Sequence, residues 1–195
     1  RGIVLDLKEP EGLEVALSLV KDADVFVQNL RPGTMGRLGL GYEALSGLNP
    51  SLVYCSISGY GGTGPNSQRS SFDLVAQGEA GLMSITGIPG EAPVKIGVPI
   101  TDLNAGMYAA FGVLSAYVHR LRTGVGQHVD SSLLEAGIAY TIWESATYFA
   151  TGKAPGPMGS AQMLSAPYQA FKTADAYLTL GTPNQSNWEG MCAAI

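Results

Sequence analysis

The first 60 residues alternate apolar strands with helical stretches, and this alternation restricts the fold more than any other feature of the chain. Gly2 to Leu7 reads as a strand. Pro10 then opens a helix with Leu13, Ala16, Leu17 and Val20 on one face. Asp24 to Gln28 is a second apolar strand, broken by Pro32-Gly33. A short helix follows over 42–48, and Ser51 to Ser58 is a third strand. Short buried strands separated by helices predict a parallel, doubly wound sheet, because parallel neighbours need a crossover between them. The fold class expected is α/β, a Rossmann-like open parallel sheet. Further on, 72–82 reads as a helix, and 101–122 as the longest helix, closed by Gly124. His128 to Asp130 is a short strand, and 133–150 is another helix.

A change of composition marks the next boundary. Residues 151–165 are rich in Gly, Pro, Ser and Ala without periodicity, and read as a linker or mobile loop. Beyond it, 168–171 and 176–180 look like paired strands, and a helix starts after Asn184. The expected division is a large domain over 1–150, a linker over 151–165, and the start of a smaller α+β domain over 166–195. Both ends look cut within secondary structure, so the sequence is expected to be a piece of a longer chain.

Composition excludes several classes of function. Of 195 residues, 46% are hydrophobic and 14% charged, enough to fill a core and too little charge for disorder. The net charge of −5 comes without a basic run, so a nucleic-acid partner is not expected. The two His and two Cys residues have no metal-ligand spacing, so no metal is expected, and Cys55 and Cys192 read as reduced core thiols. No apolar run reaches the roughly 18 residues of a membrane span. The setting expected by default is cytoplasmic or an organelle matrix.

Gly59-Tyr60-Gly61-Gly62-Thr63-Gly64 fits the dinucleotide fingerprint and follows a strand. That fingerprint needs a helix opening on its third glycine, so that the helix N-terminus meets a pyrophosphate. Pro65, Asn66 and Ser67 follow instead, and no acid ends a next strand about 20 residues later. The loop is read as a flexible turn, not as an NAD site. No G-x-S-x-G elbow is present either.

Three stretches carry candidate chemistry. Thr101 reads as the N-cap of the long helix, with Asp102 in its first position, where the helix dipole favours an ionised carboxylate. An ionised carboxylate can attack a carbonyl carbon, although an acid at a helix start more often has no catalytic role. Asn29-Leu30-Arg31-Pro32-Gly33, with Arg37 beyond, follows the end of a parallel strand, where open α/β sheets bind ligands. Its arginines suit either a phosphate or plain solvation. Ser71 reads as the cap of a helix whose first turn holds Asp73, again an acid with a bland alternative.

Taken in order, Asp24–Gly33, Arg37–Tyr42, Leu52–Pro65, Phe72–Gln77, Gly81–Gly87, Thr101–Leu103, Thr123–Gln127 and Ala166–Thr173 resemble the class III CoA-transferases, the family of formyl-CoA transferase and the CaiB/BaiF proteins. The resemblance implies a chain about twice this long, a Rossmann-like large domain joined to a small one, and an interlocked homodimer. It implies acyl-CoA and a small carboxylic acid as substrates, coenzyme A passing through as substrate with no permanently bound cofactor. By the same resemblance Asp102 is the nucleophile, Asn29, Leu30, Arg31 and Arg37 contact CoA, and Asp73 supports the active site. Gly159 to Gln162 corresponds loosely to a segment that covers the reacting carboxylate. The implied reaction passes through aspartyl anhydride and aspartyl-CoA intermediates. Two alternatives stand beside it. The α-methylacyl-CoA racemases of the same fold carry a His where Phe72 stands, and a non-catalytic CoA-binding fragment would need no nucleophile.

Overall fold

The computed structural model describes residues 2–194. The elements in chain order are α1 (Pro10–Lys21), β1 (Val25–Gln28), α2 (Thr34–Arg37), α3 (Tyr42–Leu48), β2 (Val53–Ser58), α4 (Asp73–Glu79), α5 (Leu82–Ile85), α6 (Ile100–Thr123), β3 (His128–Ser132), α7 (Leu133–Ile138), α8 (Ile142–Thr151), β4 (Tyr168–Lys172), β5 (Tyr177–Gly181) and α9 (Gln185–Ala194). They fall into two compact units, one of residues 2–81 and 96–142, the other of 82–95 and 143–194.

The first unit is an α/β sandwich around a parallel sheet in the order β1-β2-β3, with Val25 opposite Val53 and Tyr54 opposite His128. Side chains alternate across a strand, and β2 shows how that alternation feeds two cores. Tyr54 faces Val20, Leu40, Leu45 and Leu52, with α1 and α3 on that side. Ile57 packs against Ala76, Ala105, Leu133 and Ala136, which belong to α4, α6 and α7. Helices therefore cover both faces, as the alternation of the sequence predicts. The second layer is thin because its residues are small. A Cβ on Gly112 would stand 2.6 Å from Val129 Cγ1, and one on Gly137 2.6 Å from the Ala80 Cβ. These glycines let α6 approach β3, and α7 approach α4, more closely than any other residue would permit.

Four expectations are corrected. Residues 2–6 form no strand, and Val4 is 98% exposed. A strand exists only when another backbone pairs with it, and no described strand pairs with this segment. The helix expected over 72–82 stops at Glu79 and resumes as α5, with Gly81 between them at φ 85°. The helix expected over 133–150 is divided by a 3-10 turn at Ala139–Thr141. The long helix starts at Ile100, with Pro99 as its N-cap.

In the second unit β4 and β5 form an antiparallel hairpin, with Ala170 opposite Thr179. Asn184 caps α9 by accepting the Asn187 N–H at 2.9 Å. The Gly-rich stretch before the hairpin holds one isolated bridge, Gln162 with Ser165. Its Gly159 N–H donates to the Gly87 carbonyl at 2.8 Å, and Ser160 Oγ accepts the Ala170 N–H at 2.9 Å. Of the two free cysteines, Cys55 is buried and Cys192 exposed, so Cys192 is not a core thiol. No helix among the described residues is long and apolar enough to cross a membrane.

Candidate active site

Two helix N-termini meet at the C-terminal side of the sheet, and each carries an acid in its first turn. Asp73 opens α4 behind Phe72, and Asp102 lies at the third position of α6. Thr101 is fully buried between them and does not cap its own helix. Its N–H donates to Asp73 Oδ1 at 2.9 Å, and its hydroxyl donates to the same oxygen at 2.8 Å. Asp73 thus caps α6 from another helix, satisfying an N–H that has no partner within its own turn. This explains why α6 starts earlier than the local sequence predicts. Once the cap comes from 28 residues upstream, Thr101 is free to enter the helix.

Gln77 completes the junction. It lies one turn after Asp73 on the same face of α4, the spacing at which side chains meet. Its Nε2 donates to Asp73 Oδ2 at 2.7 Å, and its Oε1 accepts the Ile96 N–H at 2.8 Å. The amide is fully buried, so each of these bonds matters, since a buried polar group left unpaired costs about 1–3 kcal/mol. On the other side Asn104 Nδ2 donates to the Ala136 carbonyl at 3.0 Å, and Ser131 Oγ to the Ala105 carbonyl at 3.0 Å. The first turns of α6 are therefore fixed to α4, α7 and β3.

The two carboxyls respond in opposite directions. Burial pushes Asp73 up, but the Thr101 hydroxyl, the Thr101 N–H, the Gln77 amide and the Asp102 N–H together hold it below its ordinary value. Asp102 is raised, first by burial and then by the negative charge of Asp73. The helix-dipole argument predicts the reverse for Asp102. It fails because burial disfavours the charged form, Asp73 has already taken the N–H groups of Thr101 and Asp102, and Asp73 adds its own charge.

A cleft of about 230 Å³ lies beside this junction. It is lined by Asn29, Leu30 and Arg31 after β1, by Ser58 at the end of β2 with Gly59 beyond it, and by Arg69 to Phe72 leading into α4. It stands beyond the carboxyl ends of parallel strands, where the topology predicts ligand binding. Arg69 is held there by Glu79 at 2.9 Å, and its guanidinium lies over the Tyr60 ring. The structure thus gathers Asn29, Leu30 and Arg31 around one cavity and joins Asp73 to the first turn that bears Asp102. Arg37 is not among the lining residues; its Nη2 donates to Thr34 Oγ1 at 3.1 Å at the end of α2. No helix opens on Gly64, since turns run on to residue 68 and α4 starts at Asp73. Among the described residues, no three His, Cys, Asp or Glu side chains are placed to hold a metal ion.

The family model for CoA-transferase family III matches residues 1–195. The chain belongs to that family. It is 39% identical to a succinate–glutarate CoA-transferase of Agrobacterium fabrum, over 98% of this chain and 48% of the relative. It is 38% identical to the human succinyl-CoA:glutarate CoA-transferase, over the whole of this chain and 44% of the relative. A CAIB/BAIF family protein from Brucella suis has the same fold, with a TM-score of 0.89 and 38% identity over all of this chain and 51% of that one. The chain spans about half the length of these family III relatives.

Gln77, the trans-capping role of Asp73 and the contribution of Arg69 to the cleft are not apparent from the sequence. The four-residue spacing of Asp73 and Gln77 was the one available signal. Nothing local marks Arg69.

Proposed function

We propose that the intact protein transfers coenzyme A from an acyl-CoA to a carboxylic acid, and that Asp102 is the nucleophile. The carrying observation is the anchored first turn of α6, in a chain that matches the CoA-transferase family from end to end. A nucleophile benefits from a fixed position, and Thr101, Asn104 and Ala105 all tie that turn to neighbouring elements. Asp102 attacks the thioester carbonyl, forming a mixed anhydride and expelling CoA thiolate. The thiolate attacks the aspartyl carbonyl, releasing the donor acid and leaving aspartyl-CoA. The acceptor carboxylate attacks that thioester and expels the thiolate again. The thiolate then takes the acceptor's acyl group, and Asp102 is regenerated as a carboxylate. Each step exchanges one acyl–oxygen or acyl–sulfur bond for another, so the overall reaction needs no redox partner.

In this reading Asn29, Leu30 and Arg31 hold CoA at the cleft and Arg37 approaches it from α2, while Asp73 raises the basicity of Asp102 and caps its helix. The names of the relatives support succinyl-CoA as donor and a dicarboxylate such as glutarate as acceptor. We place a CoA-binding large domain over 1–150, a linker over 151–165, and part of a small domain from 166. Two interlocked copies are proposed for the whole protein. A row of exposed apolar residues along α6, including Leu103, Met107, Leu114 and Leu121, supports a covered helix. Racemase chemistry is disfavoured by Phe72, whose ring cannot accept a proton.

Incubating the intact protein with succinyl-CoA and hydroxylamine tests the nucleophile. Mass spectrometry should find the adduct on Asp102 and none in an Asp102→Ala variant. Wild-type protein left unmodified by succinyl-CoA and a panel of acyl-CoAs would overturn the proposal. Exchange of the α-proton without acyl transfer would favour the racemase.

A further inference from the structure

Gln28 is the last residue of β1, immediately before Asn29, Leu30 and Arg31. One partner fixes the orientation of its amide. The Leu30 N–H, which can only donate, stands 2.9 Å from Oε1. Nε2 therefore faces Ser56 Oγ on β2, at 3.1 Å. Ser56 accepts that bond, and its Oγ is also hydrogen-bonded to His128 Nε2 on β3, 2.9 Å away. The imidazole is held flat against Tyr42, with ring centroids 4.9 Å apart, and edge-on to Tyr54.

This row crosses all three strands on one face of the sheet and ends on the backbone of the loop. The sheet does not need it, because the ladder already pairs Gln28 with Ser56. At the far side of the loop the Arg31 carbonyl accepts the Thr34 N–H at 3.1 Å, where α2 starts. The segment that these two anchors hold, Asn29 to Arg31, lines one part of the cleft. We propose that Gln28, backed by Ser56 and His128, is a positioning residue for CoA: it fixes the Leu30 N–H and with it the conformation of Asn29 to Arg31. The inference rests on the assignment of that loop to CoA.

The test uses the intact protein, with steady-state transfer from succinyl-CoA and calorimetric titration of free CoA. Gln28→Leu should raise KM for succinyl-CoA and Kd for CoA by about three- to tenfold, the loss of one neutral hydrogen bond, with kcat within twofold. Ser56→Ala should act in the same direction. Ser56→Thr keeps the hydroxyl and suits a strand, so it should stay near wild type. Unchanged KM and Kd in Gln28→Leu, a fall in kcat alone, or equal effects of Ser56→Thr and Ser56→Ala would overturn the positioning role. If wild type binds CoA but transfers nothing, the transferase reading fails, and the Kd values alone decide the role of Gln28.

Discussion

The starts of α4 and α6 look alike in sequence and behave differently in the fold. Each has an acid in its first turn, Asp73 and Asp102. Asp73 is surrounded by donors and lowered, while Asp102 is raised by burial and by Asp73 itself. The difference teaches that a helix end does not set the charge of its acid. The donors there are finite, and the carboxylate that arrives first, from whichever helix, takes them. Asp73 holds the junction together, and in the function proposed above Asp102 supplies the chemistry. Pairs of carboxyls driven apart by environment are a recurrent way of dividing two roles.

The largest effect that can break this comparison is on activity. Asp102→Ala in the intact protein should lower the transfer rate at least about a thousandfold, as removal of a nucleophile does elsewhere. Asp73→Ala should instead act mainly on folding. It removes the best acceptor of the buried Gln77 amide and of the Thr101 hydroxyl and N–H, and should cost about 3 kcal/mol in a urea titration. Equal losses of activity and of stability in both variants would remove the distinction between them. Gly137→Val should cost about 1–3 kcal/mol, because the added atoms meet Ala80 and the methyl group of Thr101. Thr101→Val keeps the shape but removes one donor from Asp73, and should cost about 1 kcal/mol.

The smallest effects are in pH, and they carry the clearest sign. Asp73 has a lowered native pKa. Its contribution to stability is complete above the unfolded value, near ~3.9, and is lost as pH falls through the native one. Asp102 has a raised native pKa, so its contribution is complete below ~3.9 and is lost as pH rises through the native value. Thermal melts at neutral pH should therefore show Asp102→Asn slightly above wild type and Asp73→Asn below it. Asp73→Asn also removes the charge that raises Asp102, so the acid limb of the transfer rate should move to lower pH. A limb that stays in place would show that Asp73 does not act on Asp102 electrostatically.

Much of the fold was legible in the chain. Apolar runs at Val25–Gln28 and Val53–Ser58 became parallel strands, and Gly124, at φ 76°, ends α6 where the periodicity stops. Local patterns succeed there because strand burial and helix termination depend on neighbours in sequence. The same reasoning failed at residues 2–6, where pairing needs a distant backbone, and at Thr101, where the cap is supplied by Asp73.

The site divides along the same line. The chain's order of residues settles which groups are available: a carboxylate at the start of a long helix, an Asn-Leu-Arg loop after a strand, an acid with a glutamine one turn later. It also determined the family, through motifs in a fixed order. It takes the folded chain to make Asp73 the cap of α6, to enclose Gln77 with every polar atom in use, and to raise Asp102 rather than lower it. Hydrogen bonds and charge act over a few ångströms of space, and 28 residues of chain separate Asp73 from Thr101.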